Sequence, residues 1–246
     1  MTRIAAHRGG TLEYGDSTPA GFTATAKMEL EEVEFDVHPT IDGAIIVHHD
    51  ATLDRTTDRT GAIAEQTSQD VLAAVINYSQ NAHPLRLEQL CEIFQTSPVQ
   101  FRCEFKPDRN GLPYAQFVPR VVAMFEEKHM LGKTGFSSFL VDYLDEIALH
   151  SDRPRLWLVS PAILMQLGTK GVIETAKNRQ IREIGVHIDT ATPALMTMVL
   201  DAGIDFGCWA AHTSEQISKA LTMGVKVFTS DRPSLAMTIR NQMQKD

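Results

Sequence analysis

Short apolar runs alternate with longer amphipathic stretches along the whole chain, and this alternation limits the possible folds more than any other feature of the sequence. Eight of the runs have the length and composition of strands. The predicted strands cover residues 3–7, 33–38, 99–105, 134–138, 155–159, 183–188, 205–209 and 225–229. The amphipathic stretches predict helices over residues 18–29, 87–95, 114–128, 141–150, 161–178, 193–202, 214–223 and 233–244.

Eight strand-then-helix units predict a closed parallel barrel. Neighbouring parallel strands need crossover helices, and eight such units close a sheet into a TIM (β/α)8 barrel. The chain has 246 residues, a length at which such barrels form one domain, so we expect a single domain over residues 1–246. A dinucleotide-binding doubly wound sheet is disfavoured, because residues 7–10 read HRGG and lack its glycine pattern.

An insertion after the second predicted strand interrupts the regular alternation. The DG pair at 42–43 predicts a hairpin, so an extra antiparallel strand should return beside the second strand. With the turn centred on residues 41–42, antiparallel pairing places His49 opposite Glu34. The polar residues 50–84 have little periodicity and predict a short rim segment over one end of the barrel.

Charge and apolar patterning exclude further classes of protein. With 23 basic and 31 acidic residues the formal net charge is −8, which disfavours a nucleic-acid binder or a binder of anionic membranes. No apolar stretch reaches 18 residues and no signal-peptide pattern begins the chain, so we expect a cytoplasmic protein without stable membrane insertion. The spacing of Cys91, Cys103 and Cys208 fits no zinc site and predicts reduced, buried thiols. The charge leaves the oligomeric state open.

Ionisable residues crowd the carboxyl ends of the predicted strands, where TIM barrels carry their chemistry. Glu34 and Asp36 lie two residues apart on one strand and therefore on the same face, and Glu104 comes from the next strand. Three carboxylates without a thiol suit an oxygen-liking divalent cation such as Mg²⁺ or Ca²⁺. The alternative is that the first two form structural ion pairs with Arg8, Arg102 or Lys106.

Two histidines and two positively charged side chains are expected at the same end of the barrel. His7 ends the first strand and the hairpin returns His49 to the carboxylates, so the pair suits general acid–base catalysis. Arg8 and Lys106 supply the positive charge that would hold an anion against an acidic rim, and phosphate fits best. Trp209 ends the seventh strand and could wall the alcohol group of a substrate, although a place in the core is equally open.

The short motifs around these residues have a recognisable order and spacing. They read AHRGG at 6–10, DSTPAGF at 16–22, EFDV at 34–37, TIDG at 40–43, HD at 49–50, LDRTT at 53–57, EFKP at 104–107, SSF at 137–139 and TSDRP at 229–233. Together they closely resemble the glycerophosphodiester phosphodiesterase family. The resemblance spans almost the whole chain and is sharpest over residues 6–57.

This resemblance implies a TIM barrel that hydrolyses small-molecule glycerophosphodiesters to sn-glycerol 3-phosphate and an alcohol with a divalent cation. In that family the glycerol 2-hydroxyl is thought to act as internal nucleophile and to give a cyclic phosphate, so no serine or cysteine nucleophile is needed. Matched by motif, the metal ligands are Glu34, Asp36 and Glu104, the acid–base pair is His7 and His49, and the phosphoryl oxygens bind Arg8 and Lys106.

The sequence departs from the family pattern at two places. Asp16 stands where the family usually has glutamate, so its carboxylate is one methylene shorter. It could reach the metal shell or the glycerol hydroxyls, or it could stabilise the N-terminus of the first helix. Near the seventh strand His212 replaces an asparagine of the family, which could change substrate preference.

Two other functions remain as alternatives. A phospholipase D-like hydrolase of lysophospholipids would work at a membrane surface, and the net charge of −8 and the lack of a basic amphipathic helix disfavour it. A catalytically silent phosphodiester-binding protein would not need the full set of histidines and carboxylates that the chain carries.

Overall fold

A computed structural model describes residues 1–244 and places ten strands in one sheet. The strands are β1 (Arg3–His7), β2 (Glu32–Pro39), β3 (Ile45–Val47), β4 (Leu85–Arg86), β5 (Gln100–Phe105), β6 (Thr134–Ser138), β7 (Arg155–Val159), β8 (Glu183–His187), β9 (Asp205–Trp209) and β10 (Val227–Ser230). All except β3 and β4 are parallel, and they close into a barrel because β1 pairs with both β2 and β10. The predicted TIM barrel is confirmed. The single domain over residues 1–246 stays a prediction, and residues 245–246 lie outside the described part of the chain.

Residues 1–244 also form ten α-helices. They are α1 (Thr11–Tyr14), α2 (Pro19–Thr25), α3 (Ser68–Leu72), α4 (Leu87–Ile93), α5 (Phe117–Glu127), α6 (Val141–His150), α7 (Pro161–Asn178), α8 (Pro193–Asp201), α9 (Ser214–Met223) and α10 (Pro233–Met243). The eight predicted helices are all present. The two others, α1 and α3, have only four and five residues and are too short to show a periodic pattern.

Local chemistry explains where the helices begin and end. The hydroxyls of Thr18, Ser160 and Thr192 accept the capping hydrogen bonds of α2, α7 and α8, as helix starts prefer. Helix α2 is shorter than predicted because Lys27 tightens into an i→i+3 turn on Ala24. Helix α7 contains a break at a glycine, and no helix within residues 1–244 is long and apolar enough to cross a membrane.

The hairpin after β2 differs from the prediction by one residue in register. Val47 pairs with Val37, so the expected pairing of His49 with Glu34 is wrong. The turn holds one more residue than predicted, because Gly43 adopts a left-handed backbone with φ 91° and forms the bulge of a three-residue loop. As a result β3 ends before His49, which reaches the barrel mouth by the segment that follows β3.

The alternating faces of β2 and β5 separate the site from the core. Glu34 and Asp36 point into the barrel, and the strand register places Glu104 beside Asp36. The intervening Phe35 points outward and packs edge-on against Phe101, with ring centroids 5.1 Å apart, under the helix layer. Burial of these rings therefore fixes the two strands that carry the carboxylates.

The cysteines behave as the sequence predicts. Cys91, Cys103 and Cys208 are buried and free. Burial raises the pKa of Cys91 and of Cys208 to about 12, so both thiols stay protonated. They fill space in the core as small apolar side chains.

A buried ion-pair network crosses the amino end of the barrel. Arg102 lies with its Nε 2.6 Å from Glu32 Oε2 and its Nη1 3.1 Å from Glu183 Oε1. Lys226 pairs with Glu183 as well. Arg102 therefore pairs with Glu32 and Glu183, and not with Glu34 or Asp36 as the alternative from the sequence allowed.

We expect Arg102→Ala to lower the free energy of unfolding by about 2–3 kcal/mol, because the buried carboxylates of Glu32 and Glu183 then keep only their more exposed partners, Arg3 and Lys226. Urea denaturation followed by circular dichroism measures the change. The control is Arg109→Ala, which breaks an exposed pair with Glu65 and should cost less than about 1 kcal/mol. Equal losses in the two variants would show that the buried network does not stabilise the barrel.

Candidate active site

A cavity of about 250 Å³ opens at the carboxyl end of the barrel. Its polar lining includes His7, Arg8, Glu34, His49, Glu104 and Lys106. Its apolar lining includes Phe139, Leu158 and Trp209. Seven of the nine predicted site residues thus surround one space large enough for a small molecule, and the other two, Asp36 and Asp16, contact Arg8 of its lining.

A larger cavity of about 530 Å³ lies at the amino end of the barrel, between Arg153, Arg155 and Lys226. Several of its charged groups already have partners: Lys226 pairs with Glu183 and Asp205, and the Arg155 guanidinium donates to main-chain carbonyls. TIM barrels carry their chemistry at the opposite end. We therefore place the functional site in the smaller cavity.

Three buried carboxylates form the base of the site. One oxygen from each of Glu34, Asp36 and Glu104 lies within 4.8 Å of the others. Lys106 Nζ lies 2.5 Å from Glu104 Oε1 and 3.2 Å from Asp36 Oδ1, and Arg8 Nε lies 3.4 Å from Asp36 Oδ2. Both oxygens of Asp36 and Oε1 of Glu34 nevertheless have no hydrogen-bond donor in the described chain. The side chains of Arg8 and Lys106 therefore do not provide hydrogen-bond donors for all of the carboxylate oxygens.

The pKa values reflect this shortage of positive charge. Burial, with Asp36 and Glu104 nearby, raises the pKa of Glu34 well above its ordinary value. Burial and Asp36 also raise the pKa of Glu104, against the opposing effect of Lys106. Burial acts against ionisation of Asp36 too, but Lys106, His49 and Arg8 outweigh it and lower that pKa.

The donor set fits a divalent cation of the oxygen-liking kind. Three carboxylates face two cationic side chains, so the group carries excess negative charge when all are ionised. Unpartnered, buried carboxylate oxygens are costly unless something positive binds them. Mg²⁺ and Ca²⁺ prefer such oxygens. The fit concerns the class of ion and leaves its identity open.

His7 is held by Asp231, an aspartate for which the sequence predicts no role. Its Nδ1 lies 2.5 Å from Asp231 Oδ1, and its Nε2 lies 3.8 Å from Glu34 Oε2. The carboxylate accepts from Nδ1–H, so Nε2 faces the base of the site. Burial and the nearby charge of Arg8 lower the pKa of His7, against the opposing effect of Asp231. The lowered pKa favours the neutral imidazole.

His49 has a matching partner. Its Nδ1 lies 2.5 Å from Asp50 Oδ1, and Arg55 Nε in turn donates to Asp50 Oδ2 over 2.7 Å. The side chain of His49 is 26% exposed, so the ring remains open to the cavity. The site therefore contains two histidine–aspartate pairs, each leaving one ring nitrogen free of its aspartate.

His212 lies beside the first of these pairs. Its ring centroid is 5.7 Å from that of His7, and its Nδ1 accepts the main-chain N–H of Asp231 over 3.0 Å. The side chains of His7, His212 and Asp231 are close enough together to ligate an ion. The Nδ1 atoms of both histidines, however, are already hydrogen-bonded to Asp231. We therefore assign His212 to the support of Asp231 and His7.

Asp16 holds Arg8 in place. Its Oδ2 accepts from Arg8 Nη1 over 2.9 Å, and the Nε of the same guanidinium lies against Asp36, which leaves Nη2 available to a ligand. The N-terminus of α2 is capped by Thr18 instead, so Asp16 is not its N-cap. The Arg8 backbone itself is left-handed, with φ 50°, a conformation that needs such support from its surroundings.

Trp209 forms part of the cavity wall and is not simply core. Its ring stands edge-on to Phe139, with centroids 5.3 Å apart, and edge-on to His187 at 4.6 Å. These contacts fix an apolar surface across the cavity from the carboxylates.

Fold and site together define a TIM-barrel phosphoric diester hydrolase. The chain belongs to the glycerophosphoryl diester phosphodiesterase family, whose model matches residues 7–235. It is 25% identical to a glycerophosphodiester phosphodiesterase of Bacillus altitudinis, over 99% of this chain and 100% of that protein.

Two solved structures illustrate the similarity. One is a crystal structure of an Agrobacterium tumefaciens strain C58 protein placed by name in the same family, which is 60% identical, covers 100% of both chains and superposes with a TM-score of 0.99. The other is a phosphodiesterase of Oleispira antarctica in complex with the product sn-glycerol-3-phosphate. It is 19% identical over 98% of this chain and 97% of its own, with a TM-score of 0.80, which shows the shared fold.

We expect Asp231→Asn to lower kcat at least about tenfold, because an amide no longer fixes the protonated nitrogen of His7. The thermal unfolding midpoint should change little, since Asp231 is partly exposed. Steady-state kinetics on a glycerophosphodiester measures the effect. The control, Asp205→Asn, makes the same change at the opposite end of the barrel, and an equal loss of kcat in both variants would contradict the assignment.

Proposed function

We infer that the protein hydrolyses glycerophosphodiesters to sn-glycerol 3-phosphate and an alcohol, with a divalent cation and two histidines. One observation carries this inference: buried carboxylates with unpartnered oxygens lie beside a small cavity that His7 and His49 also line, and each of these histidines pairs with an aspartate. The product bound in the Oleispira antarctica relative supports glycerol 3-phosphate as the phosphate-containing product.

Glu34, Asp36 and Glu104 would hold the cation. When bound, it supplies positive charge against the phosphoryl oxygens as negative charge develops there. The carboxylates come from β2 and β5 and Trp209 comes from β9, so the apolar side of the cavity would stay available to the alcohol group.

Arg8 and Lys106 would bind the non-bridging oxygens of the phosphodiester. Asp16 accepts from one terminal nitrogen of Arg8 and leaves donors of the guanidinium for phosphate. Lys106 lines the cavity next to Phe139 and adds a point charge there. The apolar surface of Trp209 and Leu158 would face the alcohol group of the substrate. Such a surface would not discriminate between alcohol groups by their charge.

The two histidines would transfer the protons. In the first step one neutral imidazole takes the proton of the glycerol 2-hydroxyl, whose oxygen attacks phosphorus, and the other gives a proton to the departing alkoxide. This releases the alcohol and forms a cyclic phosphate. In the second step the roles reverse: the deprotonated ring takes a proton from a water molecule whose oxygen attacks phosphorus, and the protonated ring gives its proton to the 2-oxygen as the cyclic P–O bond breaks. The nucleophile belongs to the substrate, so its attack is intramolecular.

We expect chelation to abolish turnover. Treatment with EDTA followed by desalting should stop release of glycerol 3-phosphate, and Mg²⁺, Ca²⁺ or Mn²⁺ should restore it, because the carboxylates would otherwise lack their counter-charge. A coupled assay for glycerol 3-phosphate, run against a panel of glycerophosphodiesters, measures this. Undiminished activity in metal-free protein would remove the cation from the mechanism.

We expect His7→Ala and His49→Ala each to reduce kcat by about 10²-fold or more, the effect of losing an acid–base group. Circular dichroism should show an intact fold. The control is His150→Ala, which removes an exposed imidazole at the end of α6 and should leave kcat unchanged. A near-normal rate in either site variant would mean that its histidine does not transfer a proton.

A further inference from the structure

We propose that His38, Tyr114 and Tyr143 form a hydrogen-bond chain that positions His49 and Lys106 relative to each other. We call these three residues the positioning network. The proposal rests on the proposed function, because it concerns the alignment of the same site. None of the three touches the reacting atoms, so they would act through His49 and Lys106.

The first link binds the main chain of His49. His38 lies on β2, four residues after Glu34 and on the same face, and is fully buried. Its Nε2 lies 3.1 Å from the carbonyl oxygen of His49, which can only accept, so Nε2 carries the proton. Its Nδ1 lies 3.0 Å from the Tyr114 hydroxyl, which donates to it when the ring is neutral.

The remaining links reach Lys106. The main-chain N–H of Tyr114 donates to the Tyr143 hydroxyl over 2.7 Å. That hydroxyl donates in turn to the carbonyl oxygen of Lys106 over 3.2 Å. Four hydrogen bonds, joined through the covalent frame of Tyr114, therefore connect the main-chain carbonyls of His49 and Lys106, which follow different strands.

Both of these site residues lie just beyond regular structure. Strand β3 ends at Val47, and the hydrogen bond from His48 N–H to Asp36 O is followed by a segment without strand geometry. Strand β5 likewise ends at Phe105, one residue before Lys106. The sheet ladder thus stops short of His49 and Lys106, and the positioning network ties them together where the ladder ends.

Aromatic packing holds the network independently of its hydroxyl groups. The Tyr114 ring stands edge-on to Phe117, with centroids 5.6 Å apart, and the buried Tyr143 ring packs on Phe105 at 5.3 Å. A tyrosine-to-phenylalanine change therefore removes a hydrogen bond and keeps these contacts. Positioning can then be separated from folding, since displacements of about 1 Å are enough to cost up to 10²-fold in rate.

The test compares Tyr114→Phe with Tyr78→Phe, which alters a fully exposed tyrosine outside the network. For Tyr114→Phe we expect kcat to fall about tenfold with KM changed less than about twofold, because binding groups stay in place while His49 loses its orientation. Hydrogen exchange measured by mass spectrometry should be faster over residues 48–56 in this variant. Tyr78→Phe should match the unmodified protein in all three measurements.

A second pair of variants tests the link to His49 directly. His38→Gln keeps an amide N–H donor within reach of the His49 carbonyl, whereas His38→Met fills a similar volume without a donor. We expect His38→Gln to retain at least about threefold more kcat than His38→Met at similar thermal unfolding midpoints. Equal rates in these two variants would overturn the proposal.

The outcomes separate this proposal from the proposed function. If the unmodified protein turns over and Tyr114→Phe keeps its full kcat, the positioning network is refuted while the function stands. If kcat and the thermal midpoint of Tyr114→Phe fall together, the network is only structural and the proposal is also refuted. If the unmodified protein shows no turnover, the function fails, and unchanged hydrogen exchange over residues 48–56 refutes the network as well, whereas faster exchange supports it.

Discussion

The burial of three carboxylates at one end of the barrel is the constraint on which the rest of the site depends. Glu34, Asp36 and Glu104 are nearly inaccessible to solvent, and burying charge is costly unless positive groups compensate it. Arg8 and Lys106 supply part of that compensation and leave oxygens unpartnered. A divalent cation supplies the remainder in our account, and the same charge then serves the phosphoryl group of the substrate.

Closure of the barrel gives these charges their neighbours. Because β10 lies beside β1, Asp231 at the end of the last strand reaches His7 at the end of the first. The two ends of the sequence thus build one half of the site. The other half comes from the segment after β3, which brings His49 to the same cavity with Asp50 bonded to its Nδ1.

The alternation of strands and helices predicted the barrel, because each pattern depends on residues close together in sequence. The spacing of Glu34 and Asp36 likewise predicted a shared face. The hairpin register was wrong because it depends on the backbone of Gly43, which adds one residue to the turn. A slip of this kind changes strand pairing without changing any local pattern.

Contacts between distant residues were beyond sequence reasoning. Asp231 follows the last barrel strand in the TSDRP motif, and closure of the barrel is the signal that pairs it with His7 on the first strand. His38 gave no such signal, because its partners Tyr114 and His49 were predicted on a helix and a strand, whereas α5 begins only at Phe117 and β3 ends at Val47. Asp16 could be placed near the first helix, but its bond to Arg8 depends on a left-handed backbone.

The most direct test of the central claim is a crystal structure of the protein grown with Mn²⁺, using anomalous scattering to locate the ion. Our account predicts one strong peak within about 2.0–2.6 Å of an oxygen from each of Glu34, Asp36 and Glu104. A map without a peak at these carboxylates, or with the ion instead between His7, His212 and Asp231, would contradict it.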